Sequence, residues 1–229
     1  MLDMVIVVAG APKREEIVFR LIKLAQNRLP LPTPTSKRPR LSPPSSIESP
    51  YILRPIPRLS TPPPFETFAS LLDRPFIISG GCKHWPALTD PAHNWRSMDY
   101  LREVAGRGRV VPVEKGKHYS DQNWTQEIIP FESFLRHIES TSDSSGETLY
   151  LAQHDLFRQF PELSKDIEIP DYVYSAPEST FEGYVPPSHE EGYIMNAWFG
   201  PGGSISPAHT DPYFNCFGSS FALSLSGRG

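Results

Sequence analysis

The sequence predicts an α+β fold, with short helices first and a mainly antiparallel sheet after them. Three observations predict it. Apolar residues recur at helical spacing in residues 14–26, 65–72 and 131–138. Short apolar and aromatic runs, the mark of buried strands, accumulate later, at 148–153 and 193–199. No internal repeat divides the chain into equivalent units.

The elements follow in chain order. The apolar run at residues 4–9 is about a third of a membrane span. Lys13 and Arg14 follow it rather than precede it, which argues against a signal peptide and for a soluble chain. Residues 14–26 form an amphipathic helix, with Ile17, Val18, Leu21, Ile22, Leu24 and Ala25 near one side. One helix cannot bury that side alone, so residues 1–29 either dock on the main domain or are the remnant of a longer helical region. Residues 30–64 read as a Pro-rich disordered linker, because 12 of the 26 prolines fall there. Within it, Lys37-Arg38-Pro39-Arg40 reads as a nuclear import signal or as a solvated charge run. The expected location is therefore nuclear or cytoplasmic.

The globular part, residues 65–229, opens with a short helix at 65–72. A strand at 76–78 stops at Gly80-Gly81. Residues 98–105 read as a helix, capped by Ser97 and ended by Gly106. Residues 110–113 are strand-like, and Pro112 places that strand at a sheet edge. A helix with Phe131, Phe134, Leu135 and Ile138 on one face precedes the two later strands.

Composition narrows the function. Cys82 and Cys216 are the only cysteines in 229 residues, too few for a disulfide scaffold. The net charge of -4 divides into +6 over residues 1–60 and -10 over residues 61–229. The larger part is thus not a basic nucleic-acid-binding domain, and its acidity is compatible with a basic protein partner.

The chemistry concentrates in residues 196–212, NAWFGPGGSISPAHTDP. His209 and Asp211 are two positions apart, and on a strand such residues share a face. An imidazole and a carboxylate would then converge, supplying two-thirds of a 2-His-1-carboxylate set suited to non-haem Fe(II). The same spacing also arises as an ordinary surface or core-edge pair. Gly200, Gly202 and Gly203 mark a tight turn before the pair, and Pro207 and Pro212 bracket it. The other histidines, His84, His93, His118, His137, His154 and His189, read as solvated or structural, and Cys82 has no evident activating partner.

This block resembles the JmjC (Jumonji C) family of Fe(II)- and 2-oxoglutarate-dependent oxygenases. The likeness extends upstream to GRVVPVEKGKHYSDQNWTQEIIPFESFL (108–135), TLYLAQHDLFRQFPELSKDIEIPDY (148–172) and the stretch from Phe76 to Trp85. It covers roughly residues 65–217, and within the family it is nearest the members described both as histone lysine demethylases and as protein arginine hydroxylases. It implies a double-stranded β-helix, a jelly-roll variant. By position in the motif, His209 and Asp211 match metal ligands. Ser206, Asn215 and Tyr150 match residues lining the 2-oxoglutarate pocket, a role that hydroxyl and amide hydrogen bonds suit. The implied reaction inserts oxygen into a C–H bond of a basic protein or histone tail. On N-methyl-lysine the product then loses formaldehyde, whereas on arginine the hydroxyl group stays.

The family pattern also includes a second metal-binding His and a Lys for the distal carboxylate of 2-oxoglutarate, both downstream. No His follows His209 here, no Lys follows Lys165, and the position nine after Asn215 is Ser224. The expectation is an incomplete β-helix truncated at its C-terminus, with the activity of this chain impaired. The alternatives are a non-catalytic interaction fragment or splice product, and a cupin-like binding or isomerase protein.

Overall fold

The computed structural model describes residues 2–29, 55–116, 122–140, 148–175, 183, 192–201, 204, 206, 207, 209, 211 and 215–218. Lys37–Arg40, His118 and His189 lie outside the described residues. Two helices open the chain, α1 (Leu2–Ala9) and α2 (Glu15–Gln26). They pack on each other through Ile6, Ala11, Val18 and Ile22. Strand β1 (Arg58–Leu59) lies within the stretch expected to be linker. It pairs in parallel with β2 (Ile77–Ile78), because the carbonyls of Pro57 and Leu59 accept from Ile77 and Ser79. Helix α3 (Phe65–Ser70) stacks Phe68 on Tyr172, with ring centroids 4.1 Å apart.

Short α4 (Pro86–Thr89) and α5 (Met98–Ala105) follow. Ser97 caps α5 by accepting from the Tyr100 amide, and Gly106 ends it with a positive φ of 69°. The main sheet is antiparallel, in the order β4-β3-β5-β6: β3 (Val110–Lys115), β4 (Thr125–Pro130), β5 (Leu149–His154) and β6 (Ala197–Phe199). The fold is thus mixed α+β with an antiparallel sheet that does not close into a barrel among the described residues. Pro112 is not on an edge strand as expected, since β3 has partners on both sides. The proline is tolerated because pairing with β5 covers only Glu114 and Lys115, so no ladder donor is required at Pro112 on that side. Strand β5 carries a register shift between Leu151 and His154, where Gln153 adopts a φ of 50°.

Helix α6 (Phe131–Ser140) and α7 (Leu156–Gln159) cover the sheet. Their buried residues join Val111, Val113, Leu151 and Phe199 in one core, where Phe134 meets Phe199 edge-on at 5.2 Å. Short 3-10 segments at Pro161–Asp166 and Asp171–Tyr174 follow before β6. Fully buried Asp166 accepts from Trp95 Nε1 at 2.7 Å and the Tyr100 hydroxyl at 2.6 Å, and it contacts His93 Nδ1 at 2.6 Å. This cluster accounts for His93 as a structural histidine, and burial beside Asp166 pushes the Tyr100 phenol up.

The N-terminal helices are docked through polar contacts, while Ile17, Leu21 and Leu24 of the expected apolar side stay exposed. Buried Asp3 on α1 receives Arg109 Nε at 2.7 Å, the Val110 amide at 3.0 Å and Gln159 Nε2 at 3.2 Å. Gln26 on α2 donates to the carbonyls of Ala105 and Arg107, and Glu15 pairs with Arg158. Among the described residues, no helix is long and apolar enough to cross a membrane.

Candidate functional site

Strands β5 and β6 position the site. Tyr150 on β5 is opposite Glu114 on β3, and Leu151 is opposite Phe199 on β6. Immediately after β6 the chain turns at Gly200 and Pro201, with Ser204 donating from both its amide and its hydroxyl to the Pro201 carbonyl. A Cβ on Gly200 would lie 2.6 Å from the Tyr150 ring and 2.8 Å from Ser204 Oγ. Glycine is therefore required there for the Tyr150 ring to lie against the turn.

Tyr150 and Ser206 are brought together by a side-chain hydrogen bond. Burial pushes the Tyr150 phenol above its ordinary value; the Ser206 bond pulls the other way and Glu114 adds a smaller upward push. The phenol is a neutral hydrogen-bonding group at physiological pH.

His209 and Asp211 also meet. His209 Nδ1 is 2.8 Å from the Pro207 carbonyl, which can only accept, so that nitrogen carries the proton of the neutral ring. The lone pair is then on Nε2, which lies 3.7 Å from Asp211 Oδ1. The other oxygen, Oδ2, accepts from Asn215 Nδ2 at 2.5 Å. The two side chains are 50% and 36% exposed, so the site opens to solvent.

The shared-strand expectation is not met: neither residue lies in a strand. Among the described residues β6 is the last strand, and it pairs only with β5, so no ladder imposes alternation on His209 and Asp211. Convergence comes instead from the Pro207 carbonyl on one side and the Asn215 amide on the other. Asn215, expected in the cosubstrate pocket, has its amide on Asp211.

Two ligand bonds of about 2.1 Å span up to about 4.2 Å, so a nitrogen and an oxygen 3.7 Å apart can share a cation. An imidazole nitrogen with a carboxylate oxygen suits a first-row divalent metal such as Fe(II). The pair thus fits the metal as two of its donors. Among the described residues, no group of three His, Cys, Asp or Glu could hold a metal ion. Three contributors escaped the sequence reading: the Pro207 carbonyl, Glu114 across the strand, and Gly200 as the floor under Tyr150. The glycine-rich turn was the only signal for the last.

Two further histidines on described residues are otherwise engaged. His84 Nε2 pairs with Glu168 at 3.0 Å, and His154 Nε2 is 2.7 Å from Gln159 Oε1.

The family model described as a cupin-like domain matches residues 62–219. The zebrafish (Danio rerio) protein named lysine-specific demethylase 8 is 40% identical over 219 residues, which is 90% of this chain and 50% of that protein. An Arabidopsis thaliana protein named lysine-specific demethylase JMJ30 is 42% identical over 141 residues, 62% of this chain and 29% of its own length. The Drosophila melanogaster Jumonji C domain-containing protein 5 is 38% identical over 164 residues, 70% of this chain and 37% of its own. The chain spans half or less of the length of these curated relatives.

Proposed function

The chain belongs to the cupin-like JmjC domain family, and from that premise we propose that residues 65–217 carry the Fe(II) and 2-oxoglutarate site of a protein oxygenase. The substrate we propose is an N-methylated lysine in a basic protein segment such as a histone tail. The reading rests on one observation above the rest, the His209–Asp211 pair held from both sides by Pro207 and Asn215.

When bound, Fe(II) and 2-oxoglutarate would activate dioxygen, with 2-oxoglutarate oxidised to succinate and carbon dioxide as one oxygen atom goes into a C–H bond. The protein's part is positioning. Pro207 fixes the tautomer of His209 so that Nε2 offers a lone pair. Asn215 holds one Asp211 oxygen and leaves the other turned toward His209. Tyr150 and Ser206 offer hydroxyl groups to a carboxylate, and Gly200 lets Tyr150 sit close to the turn. The names of two relatives favour lysine demethylation over arginine hydroxylation. The acidity of residues 61–229 favours a basic partner, and the Lys37–Arg40 cluster favours a nuclear address.

Two protein donors hold a divalent ion more loosely than three, so the His209–Asp211 pair by itself should bind Fe(II) weakly. Anaerobic Fe(II) titration in the presence of 2-oxoglutarate, followed by absorbance, tests the site. Asp211→Asn should abolish binding, and Asn215→Ala should weaken it about 10- to 100-fold. Equal affinity for the wild type and Asp211→Asn would remove the basis for the reading. Formaldehyde release from an N-methyl-lysine peptide separates demethylation from hydroxylation.

A further inference from the structure

The two cysteines, remote in sequence, occupy one corner of the molecule. Cys82 is half-buried in the turn after β2, and Cys216 is exposed directly after Asn215. The segment 215–218 runs against that turn: a Cβ on Gly218 would be 3.6 Å from Cys82 Sγ and 2.6 Å from the Trp85 ring. Only two peptide units, about 7 Å of extended chain, separate Gly218 from Cys216. On its other side the segment is held by Phe217, whose ring is 6.2 Å from that of Trp198. Burial pushes the Cys82 thiol up, and Cys216 adds a smaller push in the same direction.

We propose that Cys82 and Cys216 are an oxidation site, closing a reversible intramolecular disulfide on exposure to a low-molecular-weight disulfide. The exposed Cys216 thiolate attacks one sulfur of oxidised glutathione and expels one glutathione thiolate, leaving a mixed disulfide at Cys216. The Cys82 thiolate then attacks Cys216 Sγ and expels the second glutathione. The two protein thiols lose two protons and two electrons, and glutathione disulfide is reduced to two thiols. The bridge needs the Cα atoms about 4.4–6.8 Å apart, which fixes segment 215–218 on the turn. Burial pushes both thiols up, so the thiolate fraction of each grows with pH. Closure therefore accelerates as pH rises. None of this depends on metal or 2-oxoglutarate binding.

The test uses the full 229-residue chain. It is incubated with oxidised glutathione at alkaline pH, alkylated, and digested without reduction for mass spectrometry. A cross-linked peptide pair joining Cys82 to Cys216, two hydrogens lighter than its parts and lost on reduction, is expected. Cys82→Ser and Cys216→Ser should each stop at a glutathione adduct on the remaining cysteine. Closure should be about tenfold faster in the folded chain than in concentrated urea, because the fold raises the effective concentration of one thiol at the other. Stable glutathione adducts on both cysteines, links between two chains, or equal rates with and without urea would each overturn the proposal.

Discussion

At the scale of single residues, one missing side chain shapes the site and one buried ring ties stability to pH. Gly200→Ala places a methyl group where the Tyr150 ring already sits, at 2.6 Å, with Ser204 Oγ on the other side at 2.8 Å. The ring must move, and with it the hydrogen bond to Ser206. The expected cost is about 1–3 kcal/mol of stability, read from urea unfolding, together with a shift in the Tyr150 ionisation seen by absorbance. His154 responds to pH. Burial lowers its pKa, against the smaller upward pull of its Gln159 hydrogen bond and of Asp155 and Asp3. The unfolded chain, where histidine titrates near about 6.5, thus binds a proton more readily than the folded one. Above that pH both states are neutral at this ring and it contributes no pH dependence. As pH falls through it, protons favour unfolding, until the depressed folded value is passed and the loss levels off. Unfolding midpoints from neutral to acid pH should fall, and His154→Gln should flatten that part of the slope.

At the scale of elements, α1 is held to the sheet by a charge rather than by apolar area alone. Asp3 and Arg109 are 3% and 7% exposed, and the Arg109 guanidinium also lies 4.6 Å from the Phe160 ring centroid. Asp3→Ala would leave Arg109 buried without its counter-charge, at an expected cost of about 3–5 kcal/mol. The double change Asp3→Leu with Arg109→Met removes both charges and should recover most of that loss in the same urea titration. A loss in the double variant as large as in the single one would show that packing, not charge, carries the joint. This contact also marks the limit of what could be read from the chain. Helix α2 was legible because its apolar residues repeat at the helical period, and α5 because Ser97 and Gly106 punctuate it. Helix α1 read only as an apolar run, since Asp3 gives no sign that its partners lie beyond position 105. Strand β4 was missed because it is mostly exposed and so lacks the alternation that signals a half-buried strand. The His209–Asp211 pair was legible as a spacing and Asn215 as a candidate residue, whereas the Pro207 carbonyl was not, because a backbone acceptor leaves no trace in residue identity.

At the scale of the whole molecule, the two parts of the chain carry charge of opposite sign. Residues 61–229 carry -10 and residues 1–60 carry +6. A basic peptide would be drawn to the larger part through solvent, where such attraction decays over about 10 Å at 0.1 M salt. The affinity of a Lys/Arg-rich peptide should therefore fall steadily as salt rises from about 50 to about 300 mM, mainly through slower association. An acidic peptide of the same length should show no such loss. Residues 30–54 contribute four basic side chains against one acidic, so their deletion makes the remaining chain more acidic. The deletion should raise the association rate of the basic peptide at low salt and leave it unchanged at high salt, as surface-binding kinetics can measure. A deletion that slowed association at both ionic strengths would instead assign that stretch a direct part in holding the peptide.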